Sequence, residues 1–243
     1  MNNFASETSF VLMSAPRSGT TSLIRALGNH SECLCHREIF LRDNALNKKF
    51  RENHNLEELR KTPLKFVNAI FNFTDGKQCV GFKMWCNQNE EACDYLLSHE
   101  QVKKIILERE NKLASFSSGL IRRQTGIANA SSEEKKQLSL SNTSKLEFNQ
   151  EKFIKYCKKR KQMFQKYNTD AKGDVLVIRY LDFSNPKTLN DVKKFLGLGC
   201  EDLSLPLIKI NGSNIVERFQ KGFHKQIESH LKDIDEESWA IEE

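Results

Sequence analysis

The sequence predicts an α/β fold, a three-layer sandwich whose central parallel sheet carries a P-loop-like phosphate-binding turn after its first strand. Three observations carry this. Strand-like and helix-like patterns alternate from Phe10 to about Leu198. The strand-like stretches are short, rich in β-branched residues and nearly continuous in apolar character, as strands buried on both faces are. Finally, the first of them runs directly into "SAPRSGTT" and then into an amphipathic stretch that stops at Gly28-Asn29, which is the pattern of a strand, an anion-holding turn and a helix.

Taken in order, the apolar run at 10–14 is the first strand, 14–19 the loop and 19–28 the first helix. Polar, helix-prone sequence continues to about residue 70. "CVGFKMW" at 79–85 follows the Asp75-Gly76 turn and reads as a strand. A helix at 89–99, a strand at 102–109 ("VKKIILER") and a helix at 111–124 come next. Residues 128–145 are Ser-rich, polar and without periodicity, so a flexible loop or lid is expected over about 128–148. A basic helix at 149–167 places Phe153, Ile154, Cys157, Phe164 and Tyr167 near one face. The strand "DVLVIRY" (174–180) and a helix at 186–196 stopped by Gly197 complete the series. No internal repeat is present, and one domain over 1–243 is expected.

The 243 residues suffice for a sizeable core, and 38% hydrophobic with 29% charged residues is ordinary for a globular chain. A net charge of +6 suits an anionic ligand but falls short of a nucleic-acid footprint, and the charges of the basic helix read as its solvated face. The first ten residues have neither a basic nor an apolar signal segment, and no run approaches the length of a membrane span. Seven cysteines without a CxxC pair or zinc spacing predict free thiols in a reducing cytoplasm.

The chemistry concentrates where parallel sheets bind ligands, beyond the carboxyl ends of the strands. In "SAPRSGTTS", Gly19 permits close backbone approach, Ser18, Thr20, Thr21 and Ser22 supply hydroxyls, and Arg17 supplies a planar charged fork. Against the nucleotide-kinase pattern GxxxxGK[ST], Ser14 stands at the first Gly and Thr20 at the Lys. "PRSGTTSLIRAL" instead resembles the 5′-phosphosulfate loop of sulfotransferases that use 3′-phosphoadenosine-5′-phosphosulfate (PAPS). The tyrosylprotein enzymes and the bacterial glycolipid and nodulation-factor enzymes carry similar loops.

A second segment, "LERENKLASFSSGLIRRQTG", fits the same resemblance. Arg109 closes a strand and Ser117 follows eight residues later, the separation at which that family brackets the 3′-phosphate. The pair is coherent on physical grounds too, as a charged donor at a strand tip and a hydroxyl on the next helix. Arg122 and Arg123 are further cations whose part the sequence leaves open.

Glu38, in "CHREIF", lies twenty-one residues after Arg17 and resembles the family's acceptor-activating base, with Arg37 in place of the usual Gly. His36 is the alternative base, since an unperturbed imidazole titrates nearer neutral pH. Lys83 is a charge inside an apolar strand and needs an anionic partner. Relatives have a similar Gly-Phe-Lys strand, so it reads as a second cation near the transferring group. "VIRYLDF" resembles the family's strand end whose tyrosine contacts the cofactor, which nominates Tyr180.

The resemblance implies a sulfotransferase that moves the sulfuryl group of PAPS to an acceptor hydroxyl and releases 3′-phosphoadenosine-5′-phosphate (PAP), and the lack of a signal or membrane anchor in the sequence leads us to expect a cytoplasmic enzyme of bacterial or viral type. In it Glu38, Arg17 and Lys83 act in catalysis, and no metal is needed. The acceptor stays open among glycan, glycolipid, small alcohol or phenol, and peptide tyrosine. The alternatives are an ATP-dependent P-loop kinase with a degenerate loop, and a non-catalytic nucleotide- or anion-binding module.

Overall fold

The computed structural model of the protein describes residues 4–41, 45–127, 130, 132–141, 144–206 and 211–242. In chain order the elements are β1 (Thr8–Met13), α1 (Thr20–Gly28), β2 (Cys33–His36), α2 (Lys48–Asn53), α3 (Leu56–Arg60), α4 (Pro63–Asn72), β3 (Cys79–Met84) and α5 (Glu90–Ser98). After them come β4 (Val102–Glu108), α6 (Lys112–Thr125), α7 (Glu133–Ser141), α8 (Gln150–Asp170), β5 (Val175–Arg179), α9 (Pro186–Leu196) and α10 (His224–Asp233). Contacts group the chain into two compact units, Met1–Glu108 with Met163–Leu205, and Arg109–Gln162 with Pro206–Glu243.

The first unit holds a five-stranded sheet in the order β2-β3-β1-β4-β5, with every pair parallel. The expected α/β class with a central parallel sheet is therefore present. Period-two alternation sorts the strand residues between two cores. Val11, Met13, Val80, Phe82, Met84 and Ile106 join α4, α5 and the end of α8 through Phe66, Phe71, Leu96 and Tyr167. Phe10, Leu12, Cys79, Ile105, Leu107 and Ile178 join α1 and α9 through Leu23, Leu27, Val192 and Leu196. Each fully buried phenylalanine adds roughly 1.5–3 kcal/mol of transfer free energy to these layers.

Gly81 pairs with Phe10 in the β1–β3 register, and a Cβ there would lie 2.2 Å from the Phe10 ring. The missing side chain leaves the space that ring occupies. β1 leads through α1 to one side of the sheet and β4 leads to β5 on the other. The carboxyl ends of β1 and β4 thus flank the switch point at which such sheets bind ligands.

The sequence reading differs from the structure in several places. β2, "CLCH", falls in the stretch read as helix-prone. It is four residues long, and its alternation is too short to register; pairing with β3 from Cys33↔Cys79 to His36↔Phe82 makes it a strand. Coverage of both sheet faces holds for β1, β3 and β4, whereas the edge strand β5 leaves Val177 57% exposed. Ile154 is 47% exposed instead of lying on the buried face of its helix. Cys33, Cys35, Cys79, Cys86, Cys93, Cys157 and Cys200 are free thiols, as expected.

The second unit is helical. Leu113, Phe116, Phe148, Phe153, Phe219, Ile227 and Leu231 form its core, and single bridges tie Leu146 to Phe219 and Asn214 to Ile241. In the 128–148 segment, Glu133–Ser141 is helical where a loop was expected. "EEKKQLSLS" favours helix by propensity but has no apolar face for a pattern to reveal. The expected lid otherwise falls partly on residues 128, 129, 131, 142 and 143, which lie outside the described residues.

Candidate functional site

The turn after β1 is held by its first residue. The Ser14 amide donates to the Met84 carbonyl (3.3 Å), its hydroxyl donates to the Leu107 carbonyl, and its own carbonyl accepts from the buried Tyr167 hydroxyl (3.0 Å). The same phenol accepts from the Cys86 amide at 2.9 Å. Three chain segments thus converge on the residue that replaces the first glycine of a kinase loop.

Further along, Arg17 (φ 70°) and Gly19 (φ 77°) both adopt the left-handed conformation. Left-handed residues within a turn bring backbone N–H groups to face one anion. Gly19 caps the nine-residue helix α1, whose start has no side-chain cap and no acidic residue in its first turn. Its positive end is therefore not neutralised by its own first turn or cap. Ser18, Thr20 and Ser22 are buried, and among the described residues the Ser22 hydroxyl has no hydrogen-bond partner.

Tyr180 and Phe183 stack at 5.3 Å between centroids, and a Cβ on Gly19 would meet their rings at 3.0 and 3.1 Å. The Tyr180 amide donates to the Glu108 carbonyl (2.7 Å), carrying the β4–β5 ladder one step past the strand. An aromatic pair therefore lies against the loop, which requires glycine there both for its φ and for its space.

Parity along β3 places Cys79, Gly81 and Lys83 on the side of the sheet that faces α1. Lys83, 1% exposed, donates to the Thr21 hydroxyl (2.6 Å) and pairs with the Glu38 carboxylate (3.2 Å), while its ammonium lies 5.8 Å from the Trp85 ring centre. Burial pulls its pKa below the usual lysine value, and the Glu38 charge opposes that shift. Glu38 is about a quarter exposed, at 24% of its side chain, so the pair is buried on the lysine side and open on the carboxylate side. Thr21, Lys83 and Glu38 are thus brought together, linking the start of α1 to the candidate base through one ammonium.

Lys104 is a second buried lysine, and the contrast is instructive. It sits near the beginning of β4 and donates to the His99 and Lys172 carbonyls, with burial lowering its pKa to about 8. Its partners are chain carbonyls away from the ligand-binding strand ends, a structural role.

His36 is fully buried, and its Nδ1 accepts from the Asn47 amide at 3.1 Å. The neutral ring must then carry its proton on Nε2, which has no partner among the described residues. The Nδ1 lone pair is thus engaged by the chain itself. Burial lowers the His36 pKa to about 4. Because this lies below the unfolded value, the unfolded chain binds more protons between the two, and stability falls as the pH drops through that window. Between pH 7 and pH 5 this one group is expected to cost roughly 2 kcal/mol. Urea unfolding of wild type and His36→Leu at both pH values checks it: the variant should lose correspondingly less.

In the second unit the Arg109 guanidinium grips the Glu242 carboxylate through Nε (2.8 Å) and Nη2. Both residues are buried, at 7% and 3% exposure. The Ser117 hydroxyl donates to the Ala114 carbonyl (3.1 Å) and accepts from Arg218 Nη1 (2.9 Å). Arg218 also donates to the Gly212 carbonyl at 2.7 Å. The sequence reading names neither Arg218 nor Glu242, although it points to the segment around Arg218, "INGSNIVERFQKGF", as the place to look for adenine and 3′-phosphate contacts. Arg218 lies in "NIVERFQKGF", which has no periodic or motif signal, and only tertiary packing reveals it. Arg122 and Arg123 are exposed in the last turn of α6.

Among the described residues, no three His, Cys, Asp or Glu side chains form a group that could hold a metal, and no helix is long and apolar enough to cross a membrane. What the first unit defines is a parallel α/β protein with a left-handed turn running into an uncapped helix at the sheet's switch point, and a carboxylate–ammonium pair beside it.

No family model and no curated protein matches the chain. Among solved structures it is similar to a sulfotransferase from Alicyclobacillus acidocaldarius, at 16% identity over 96% of this chain and 98% of that one, with a TM-score of 0.48. It is also similar to mouse sulfotransferase SULT7A1 complexed with PAP, at 14% identity over 95% and 84% of the two chains (TM-score 0.49). A third is the sulfotransferase domain from the curacin biosynthetic pathway, at 14% identity over 88% and 78% (TM-score 0.43).

Proposed function

We propose that the protein is a PAPS-dependent sulfotransferase that moves a sulfuryl group to an acceptor hydroxyl, with Glu38 as general base. The observation that carries this reading is the buried Lys83, whose ammonium joins Thr21 of the phosphate loop to the Glu38 carboxylate. A buried ammonium bonded to the loop is suited to take up negative charge that would collect on a leaving phosphate.

The loop's features fit the 5′ end of PAPS. An uncapped helix start without acidic residues, the unpartnered Ser22 hydroxyl and the glycine against which Tyr180 packs together form an anion cradle. Arg17, Ser18, Gly19, Thr20, Thr21 and Ser22 would hold the phosphosulfate, and Tyr180 would lie against the cofactor. Arg109 and Ser117 are the candidates for the 3′-phosphate, each carrying a charge-assisted partner in the structure, Glu242 and Arg218 respectively.

When bound, PAPS supplies the sulfuryl group and a phosphate leaving oxygen. Glu38 takes the acceptor's hydroxyl proton as the oxygen's bond to sulfur forms. Arg17 and Lys83 then hold the charge that develops on the departing phosphate.

The test is a thermal-shift comparison of PAP, ADP and ATP without magnesium and with it. A nucleotide at about 100 times its dissociation constant adds about 2.7 kcal/mol of stability. PAP is expected to raise the melting temperature most, with no magnesium requirement. Stabilisation by magnesium-ATP but not by PAP would support a kinase and refute this reading.

A further inference from the structure

The Arg109–Glu242 pair is unusual in its placement. Arg109 immediately follows β4, and its guanidinium is engaged edge-on by a carboxylate in the two-point fashion that recognises phosphates and carboxylates alike. Glu242 is brought there by a short segment with its own anchors. Its amide donates to the Ser213 carbonyl (2.9 Å), and the Ile215 amide donates to the Ala240 carbonyl (2.8 Å). Asn111 Nδ2 donates to the Trp239 and Ile241 carbonyls (3.0 and 3.2 Å). The Asn111 Oδ1 meanwhile caps α6 by accepting from the Ala114 amide at 2.8 Å. One turn, 109–111, therefore both starts α6 and fastens the 239–242 segment.

We propose that Glu242 is a specificity-determining residue that fills the Arg109 anion site when no phosphate is present, so that a 3′-phosphate binds by displacing the carboxylate. This rests on the reading of Arg109 as a 3′-phosphate ligand. The two anions compete for one guanidinium edge. A buried carboxylate there balances the guanidinium charge and sets a threshold that only a strongly anionic group crosses. Nucleotides without a 3′-phosphate leave the pair intact, so Glu242 weakens PAP binding while leaving ADP binding unaffected.

The test is calorimetric titration of PAP and ADP into wild type, Glu242→Gln and Arg109→Gln, with hydrogen exchange on wild type as a measurement independent of any variant. Glu242→Gln is expected to bind PAP about tenfold tighter, as when a competent state populated about one-tenth of the time becomes dominant, with ADP affinity unchanged. In wild type, PAP should lower the exchange protection of the Ile215 and Glu242 amides, opposite to the usual effect of a ligand. If wild type prefers PAP over ADP through Arg109, yet Glu242→Gln binds PAP no tighter and those amides gain protection, the displacement is refuted and the 3′-phosphate reading stands. If wild type shows no preference for PAP and Arg109→Gln changes nothing, both fall.

Discussion

Glu38→Gln is expected to lower sulfuryl transfer by about 10²–10⁴-fold while leaving PAP affinity within a few-fold of wild type. The amide keeps the shape and the Lys83 contact of the carboxylate, but it cannot take a proton. Transfer from PAPS to a panel of glycan, phenol and tyrosyl-peptide acceptors reads the first quantity, and calorimetry with PAP reads the second. Parallel losses in binding and turnover would make Glu38 a structural residue of the loop. Unchanged turnover would point to a non-catalytic anion-binding module.

Lys83→Met separates chemistry from folding more sharply. Removing one partner of a buried ion pair ordinarily costs about 3–5 kcal/mol, because the other charge is stranded. Here the stranded partner is not buried. Glu38 is 24% exposed and can be solvated, whereas Lys83 is almost wholly enclosed. A methionine fills similar space without a desolvated charge, so thermal stability is expected to hold or rise. Turnover is expected to fall by about 10²–10³-fold as the charge facing the leaving phosphate disappears. A variant that lost stability and activity together would mean that the ammonium is needed to build the site.

Much of this arrangement was legible from the chain. Periodicity located β1, β3, β4 and β5 to within about two residues, because each is a short apolar run bounded by turn residues. The resemblance nominated Arg17, Glu38 and Lys83, and the structure joins the last two directly. A charge in the middle of "VGFKMW" was itself informative, since only a partner makes such a position tolerable.

What escaped were features defined by partners far away in sequence. Tyr167 could be placed on the apolar face of its helix, but nothing local says that its hydroxyl reaches Ser14, 153 positions earlier. Glu242 looks like one more acidic residue in a polar tail until Arg109 is found 133 positions before it. His36 was a fair candidate base by type. Its full burial and the hydrogen bond it accepts from the Asn47 amide come from packing that spacing does not encode.

The anchoring of Ser14 has a bearing on how fast and with what heat a ligand engages. Its amide, hydroxyl and carbonyl are all committed to the surrounding framework. The ordering of the loop's first residue therefore belongs to folding, and an incoming anion has less backbone entropy to remove. A nucleotide would meet a receptor already shaped at its base. Association should then track encounter and desolvation, with a single kinetic phase whose rate stays proportional to ligand concentration rather than levelling off at a loop-closing step.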